Sequence, residues 1–485
     1  MKKQKSLKVN FFMNALLMMS SIIFPLITFP YVSRILGPGG IGKVSFATSL
    51  ITYFNIFAQL GIPTYGIKEC AKVRDDREKL TKTVQEIFII NLFTMVISYI
   101  FLFIAVLSIP KLQNEKILYL IIGPTIFLNT LGMEWLYKGL EEYTYITSRS
   151  LIFKLISLLS LFILVREKND YILYSITTVL ASSASYIMNF IHLRKYIDLR
   201  PVKIYDFRRH IKPIIILFAM SCATTIYTNL DTVMLGFIKS DLDVGYYNAA
   251  VKVKGILVNV VCSLGTVLLP RCSYYIELGM IEEFKRICKK ALNFVFVLAL
   301  PLMVYFMLFS KPAIFFLSGT QFSESILPMI IIMPTLLFIG LTNILGMQIL
   351  LPLGKEKELL KSVVAGAIVD LIINLLLISK LASIGAAIGT VVAEFTVLIF
   401  QAYYLKEYIV ELFKGISYMP IIMGVILSSI CSSVVYFFDL NVFLILVASA
   451  FIFFGVYAII LLLFKEEMLM DVLIIAIRKI RRVEK

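Results

Sequence analysis

The sequence predicts an all-α integral membrane protein of about 14 transmembrane helices, built as two parallel six-helix repeats with an appended helix pair. Three observations carry that expectation. Of 485 residues, 59% are hydrophobic and 16% charged, with a mean hydropathy of +0.90, and a water-soluble chain could not hide so much apolar surface. Lys and Arg are shared very unequally between alternate loops. The chain also repeats a pattern of residues between its two halves.

Apolar stretches of spanning length are expected at 10–33, 41–62, 84–109, 117–137, 147–165, 171–193, 213–237, 245–270, 290–310, 325–352, 359–379, 382–405, 417–437 and 441–464. The first stretch lacks a small-residue cleavage site and is expected to be a retained span rather than a signal peptide. With the N-terminus inside, the cytoplasmic segments carry 35 Lys and Arg and the external loops 9. Lys154, Lys252 and Lys254 fall within apolar segments. By the positive-inside rule both termini are cytoplasmic. The same bias accounts for the net charge of +16 without a nucleic-acid partner.

Leu36-Gly37, Gly42 and Ala47 are answered by Leu235-Gly236, Gly245 and Ala250. Leu131-Gly132-Met133 is answered by Leu345-Gly346-Met347, and each triplet precedes a charged cluster (Gly139 to Glu142, Gly354 to Glu358). Both halves start from the cytoplasm, so the repeat is parallel, related by an axis along the membrane normal. The expected divisions are an N-terminal lobe at 1–200, a C-terminal lobe at 201–410, and a final helix pair with a basic tail at 411–485. Twin bundles around a central site suit a transporter working by alternating access.

Gly37-Pro38-Gly39-Gly40-Ile41-Gly42-Lys43 fits the front of a phosphate-binding P-loop but has Val44 where a Ser or Thr would hold magnesium. It is expected to be a tight turn between helices. Intramembrane charges are costly unless they face water or a partner. Asp231, Lys252, Lys254, Asp370 and Glu394 stand within spans, with Asn374 one turn beyond Asp370. Two readings apply to them: groups lining a wet cavity, or closed ion pairs such as Asp231 with Lys252. Arg34 and Lys154 lie nearer span ends, where snorkelling to the interface is the alternative. Amides (Asn14, Asn55, Gln59, Asn91, Asn129, Asn189, Asn259, Asn343, Gln348) suit either interhelical hydrogen bonds or a hydrated chamber. Gly385 and Gly389 form a G-x-x-x-G suited to close packing. The six cysteines are expected to be reduced thiols, and two histidines leave no basis for a metal site or a cofactor. The longest expected external connection, around Lys311 to Glu324, is only 14 residues, which leaves no external domain for catalysis, so an enzyme such as a polysaccharide polymerase or glycosyltransferase is a remote alternative.

The run Glu134-Trp135-Leu136-Tyr137-Lys138-Gly139-Leu140-Glu141 resembles the W-x-x-Q-G-L-E stretch of bacterial polysaccharide repeat-unit (O-antigen and capsule, Wzx-type) flippases. These belong to the multidrug/oligosaccharidyl-lipid/polysaccharide exporter (MATE-like) superfamily. Asp231 to Gly236, followed by Val244-Gly245-Tyr246-Tyr247-Asn248-Ala249-Ala250-Val251-Lys252, is similar to that family's D-x-x-x-L-G and V-G-x-Y-x-x-A-x-K/R pattern. Tyr31 to Gly37 matches its first-helix ending. One position departs: Lys138 stands where the family usually has Gln. The motif positions are thus Trp135, Lys138, Gly139, Glu141, Gly236, Gly245, Tyr247 and Ala250.

The resemblance implies a multi-pass protein of the bacterial cytoplasmic membrane. It would move an undecaprenyl-pyrophosphate-linked oligosaccharide to the outer leaflet, coupled to H+ or Na+, among membrane lipids and beside a polysaccharide polymerase and chain-length machinery. On that reading Arg34, Lys43, Lys154, Lys252 and Lys254 are cations in the substrate path, and Asp231, Asp370 and Glu394 are coupling carboxylates. A lipid II flippase or a multidrug exporter of the same superfamily are the alternatives.

Overall fold

The computed structural model describes residues 7–414, 416–466 and 469–470; the basic residues of 1–6 and 471–485 lie outside them. Every regular element among the described residues is helical. Among the described residues ten helices are long and apolar enough to cross a bilayer, or eleven when the bent pair Thr320–Ile332 and Thr335–Leu350 counts as one span. The multi-pass helical architecture is therefore as expected, at a coarser count than fourteen.

The helices are built for a lipid solvent, with polar groups turned inward and large apolar groups outward. In Arg77–Ser108 the outward residues include Phe93, Phe101 and Phe103, all exposed. Buried Asn91 donates to the Ala58 carbonyl at 2.7 Å and Ser98 to the Phe54 carbonyl at 2.6 Å. Such bonds contribute on average only ~0.6 kcal/mol each in a bilayer, but a polar side chain left in hydrocarbon has no other partner. Asp76 caps this helix by accepting the N–H groups of Glu78 and Lys79 at 3.1 Å. The Lys79 backbone N–H and ammonium hold the Asp76 carboxyl below its ordinary range.

The chain divides into two compact units, Met1–Gly245 and Tyr246–Lys485. In the first, a single helical run Leu7–Gln59 is broken at Gly37, whose φ of 64° and ψ of −177° leave the helix. Unbroken, 53 residues would extend ~80 Å, well over twice the hydrocarbon thickness. Gly37 therefore separates two spans, and because its φ is positive a side chain there would be strained. The sequence-expected turn is thus a single-residue break, with Pro38 opening the next helix.

The repeated glycines meet one another. A Cβ on Gly42 would collide with the Asp241 carbonyl and the Gly245 nitrogen, and one on Gly245 with the Pro38 carbonyl. Backbone touches backbone where the two copies of the motif cross. A further core gathers Ile62, Tyr65, Leu80, Val84, Trp135, Tyr137 and Ile214, with the Trp135 ring lying against Gly66. The helix Arg208–Ile238 packs with this unit.

In the second unit, Glu356–Leu381 and Ser383–Tyr404 pair closely. Gly385 abuts the Leu377 backbone, and Gly389 abuts Asn374 and Asp370, so the G-x-x-x-G does serve close packing. The last helix, Val442–Leu463, packs on Ile281–Leu308 through Tyr305, Phe309 and Phe453. The Tyr457 hydroxyl donates to the Val297 carbonyl at 2.9 Å.

The Gly42–Gly245 crossing gives a direct test. Gly42→Leu or Gly245→Leu forces backbones apart and should cost about 1–3 kcal/mol, read as a lowered thermal unfolding midpoint in detergent. Gly255→Ala, with nothing within 4 Å of the added carbon, should leave the midpoint unchanged or slightly raised.

Candidate functional site: charge clusters of the first unit

Two triplets that repeat in the sequence sit at irregular backbone. Met133 takes a left-handed φ of 39°, which ends Pro124–Gly132 and starts the short helix Glu134–Gly139. Its counterpart Met347 lies in a π-helical stretch, Asn343–Leu350. The glycines do the same work: Gly132 abuts the Tyr186 side chain, and Gly346 abuts Leu359 and Gln401.

The break at Met133 places Glu134 among cations. Lys138, one turn on, pairs with it at 2.9 Å, and Arg149 approaches at 3.6 Å from Tyr143–Leu164. Arg149 is 3% exposed. Its guanidinium donates to Ser185 Oγ at 2.9 Å and lies 5.0 Å from the Tyr186 ring centroid. The Tyr186 hydroxyl also bonds to Glu134. Lys154, on the same helix as Arg149, donates to Ser20 Oγ at 2.8 Å and Ser21 Oγ at 3.0 Å, and stands within electrostatic reach of Glu134. A π-turn at Leu180–Ala184 immediately precedes Ser185 and Tyr186, a distortion frequent at functional sites.

A second cluster joins Lys43 to Glu115 and Lys111 to Asp241, the latter pair at 3.1 Å. Tyr171 donates to Glu115 at 2.9 Å, and the Lys43 ammonium lies 4.5 Å from its ring centroid. Lys111 also bonds to the Gly236 carbonyl. Lys43, Lys111, Glu115 and Asp241 line a pocket of about 180 Å³ with Phe46 and Tyr119.

A third cluster holds Arg208–Ile238 to Arg77–Ser108. Fully buried Glu86 accepts from Arg209 at 2.5 Å, the Asp206 N–H at 2.6 Å and His210 Nε2 at 2.9 Å. With Nε2 protonated, His210 Nδ1 accepts from the Tyr65 hydroxyl at 2.8 Å. This fastening is the physical reason the helix groups with the first unit.

The other residues singled out in the sequence are distributed as follows. Arg34 is exposed and donates to the Pro30 carbonyl at 2.5 Å. Lys252 is exposed and Lys254 half-buried on Asp241–Val261. Asp231 is buried in Arg208–Ile238. In the second unit Asp370, Asn374 and Glu394 are buried on the paired helices. One turn before Glu394, Thr390 meets the Tyr247 hydroxyl at 2.8 Å. Ala250 is fully buried. Gly236 accommodates the Phe46 ring, and Gly139 lies against Cys70 and the Ile67 carbonyl. Glu141 pairs with Arg74 at 2.8 Å.

Arg149, Glu134, Glu86, His210, Lys111 and Asp241 were not expected from sequence. Arg149 and Glu134 stand close to predicted loop ends, where charge is ordinary. Their spacing from Lys154 and Lys138 was the available signal.

Together these features define a polytopic helical membrane protein with clusters of charged side chains between its helices, a multi-pass protein of the bacterial cytoplasmic membrane. The family model described as polysaccharide biosynthesis protein matches residues 7–275, and one described as MatE matches 216–376. The chain belongs to the polysaccharide biosynthesis protein family, in line with the resemblance carried by its motifs. It is 25% identical over 394 residues to an Escherichia coli K12 protein provisionally described as an O-antigen transporter, spanning 80% of this chain and 94% of that one. A Shigella dysenteriae protein of the same description is 23% identical over 79% of this chain and 96% of its own length. Among solved structures, the lipid II flippase MurJ in an inward closed conformation shares the fold, with a TM-score of 0.74 and 17% identity over 94% of this chain and 99% of that one.

Removing Glu86 takes the acceptor from buried His210 and unfastens the Asp206 N–H and the exposed Arg209 guanidinium. Glu86→Ala should cost about 1–3 kcal/mol and lower both the unfolding midpoint and the amount of protein recovered from membranes.

Proposed function

We propose that this protein flips a lipid-linked oligosaccharide repeat unit, carried on undecaprenyl pyrophosphate, from the inner to the outer leaflet by alternating access. The observation that carries the reading is its likeness to the E. coli protein provisionally described as an O-antigen transporter, which extends over most of both chains. The MurJ-like fold supports it, since that neighbour is a lipid II flippase. A transporter rather than an enzyme is the consistent class.

Fourteen spans fit the helices described. Dividing the first run at Gly37 and adding the charged helices Arg208–Ile238 and Asp241–Val261 to the eleven candidates brings the count to fourteen. The positive-inside bias then favours both termini in the cytoplasm, with helices 1–6 and 7–12 as parallel repeats. Arg34, Lys43, Lys154, Lys252 and Lys254 serve as cations along the diphosphate's path, because a charged head group crossing the bilayer needs compensating charge. Arg34 and Lys252 are the exposed members of the set. Asp231, Asp370 and Glu394 are the carboxylates through which an H+ or Na+ gradient couples to the cycle. A polysaccharide polymerase and chain-length machinery are the fitting downstream partners.

Deleting the gene should abolish surface polysaccharide while lipid-linked repeat units accumulate inside. Arg34→Ala combined with Lys252→Ala should reduce polymer about tenfold at unchanged protein level. Undiminished polymer from the inserted double variant would remove the cation-path assignment. Restored growth of cells depleted of their lipid II flippase, with no effect on polymer, would overturn the choice of cargo. Asp370→Asn should make export insensitive to an uncoupler that slows the wild type; equal sensitivity of the two would refute the coupling role.

A further inference from the structure

The Glu134 cluster is unbalanced for a structural ion pair. One carboxylate faces Lys138 at 2.9 Å and Arg149 at 3.6 Å, and Lys154 stands within its field. Three cations are grouped around one carboxylate, and the one that is buried, Arg149, stands farther from it than Lys138, although a charge in a buried place is expensive unless closely paired. Arg149 is 3% exposed, and its Nε–H, buried with it, has no hydrogen-bond partner. A packed structural arginine would use that donor. Polar groups of neutral character surround the cations: Ser20, Ser21, Ser185 and the Tyr186 hydroxyl. Glu134 and Lys138 keep side-chain exposures of 21% and 35%, so the cluster is open on that side.

The internal repeat argues that the fold does not need the carboxylate. Glu134 follows Gly132-Met133, and its counterpart after Gly346-Met347 is Gln348, a buried neutral amide. The equivalent position of the repeat, on differently distorted backbone, therefore holds an uncharged side chain.

We infer that Arg149, Lys138 and Lys154 form a phosphate-binding subsite, and that Glu134 occupies it as an internal counter-anion until a diphosphate displaces it. The inference rests on the lipid-diphosphate reading above and assigns the head group a place in the first unit. A diphosphate offers more acceptor oxygens than a carboxylate and more charge, so it can engage the orphaned Arg149 Nε–H together with both ammonium groups. Glu134, swung out towards its exposed side, competes for the same cations and keeps binding reversible, which a carrier requires.

The protein reports on this site itself, because its one tryptophan, Trp135, adjoins Glu134. Full-length protein in phosphatidylcholine nanodiscs is titrated with inorganic pyrophosphate and with farnesyl diphosphate, reading Trp135 emission. Both probes should bind. Arg149→Ala should weaken them roughly tenfold or more, the loss of a charge-assisted contact. Should Arg149→Ala fail to fold, Lys138→Gln, a change at a half-exposed position, should still weaken them several-fold. Glu134→Gln should tighten both by roughly tenfold by removing the competitor.

Equal affinities in wild type, Glu134→Gln and Lys138→Gln, or no emission change with either probe, overturns the subsite. A response that appears only in phosphatidylglycerol nanodiscs assigns the cations to bilayer head groups and overturns it too. The two proposals fail separately. Surface polymer that depends on the chain, without this binding pattern, leaves the flippase reading standing and removes the subsite. The binding pattern in a chain whose deletion leaves polymer intact does the reverse.

Discussion

The whole architecture depends on the absence of water in the hydrocarbon layer. Each backbone amide must find its partner within its own helix, and each polar side chain must find one across a helix interface or in a wet recess. Asn91 and Ser98, bonded to carbonyls of the preceding span, meet that requirement as closed contacts. Glu86 meets it with three donors at once. Where the requirement is only partly met, as at the Arg149 Nε–H, the exception marks a place where a ligand has chemical reason to go.

The same constraint explains why the helices approach each other through glycine. Lipid tails are as apolar as leucine, so association in the bilayer relies on close packing and on interhelical hydrogen bonds rather than on hydrophobic burial. At Gly42 and Gly245 the backbones come together because no side chain intervenes. Gly389 does the same for Asp370 and Asn374, whose polar groups are thereby brought hard against the neighbouring helix. A small residue here fixes where a carboxylate sits, so packing and chemistry are set by one substitution.

Much of this was legible in the sequence. The lipid solvent, the pairing of Gly42 with Gly245 as equivalent positions, and the role of Gly385 and Gly389 all followed from composition and spacing. Periodicity could not disclose that the two repeated glycines pack against each other, because equivalence along a chain carries no information about contact. Arg149 escaped notice for a different reason. A cation close to the end of an apolar stretch is normally solvated, and only the three-dimensional turn at Met133 brings Glu134 to it. His210 is equally hidden in a sequence where Arg208, Arg209 and Lys212 surround it, yet it is 1% exposed between Tyr65 and Glu86.

The two halves differ most where they are most alike. At the first repeated motif Lys43 is matched by Tyr246, and at the second Glu134 is matched by Gln348. Lys43 is engaged by Glu115 and Tyr171, whereas Tyr246 packs edge-on against Phe322 at 6.3 Å. The scaffold, with its glycine contacts and its irregular backbone at Met133 and in Asn343–Leu350, accepts either a charged or a neutral side chain at these points. Folding alone therefore gives no reason for the charges of the first half, and each carries a desolvation cost that a neutral residue would avoid. Charge retained at such a cost is what the proposed diphosphate subsite would use, and the asymmetry is why that proposal places it in the first unit, where Lys138, Arg149 and Lys154 lie.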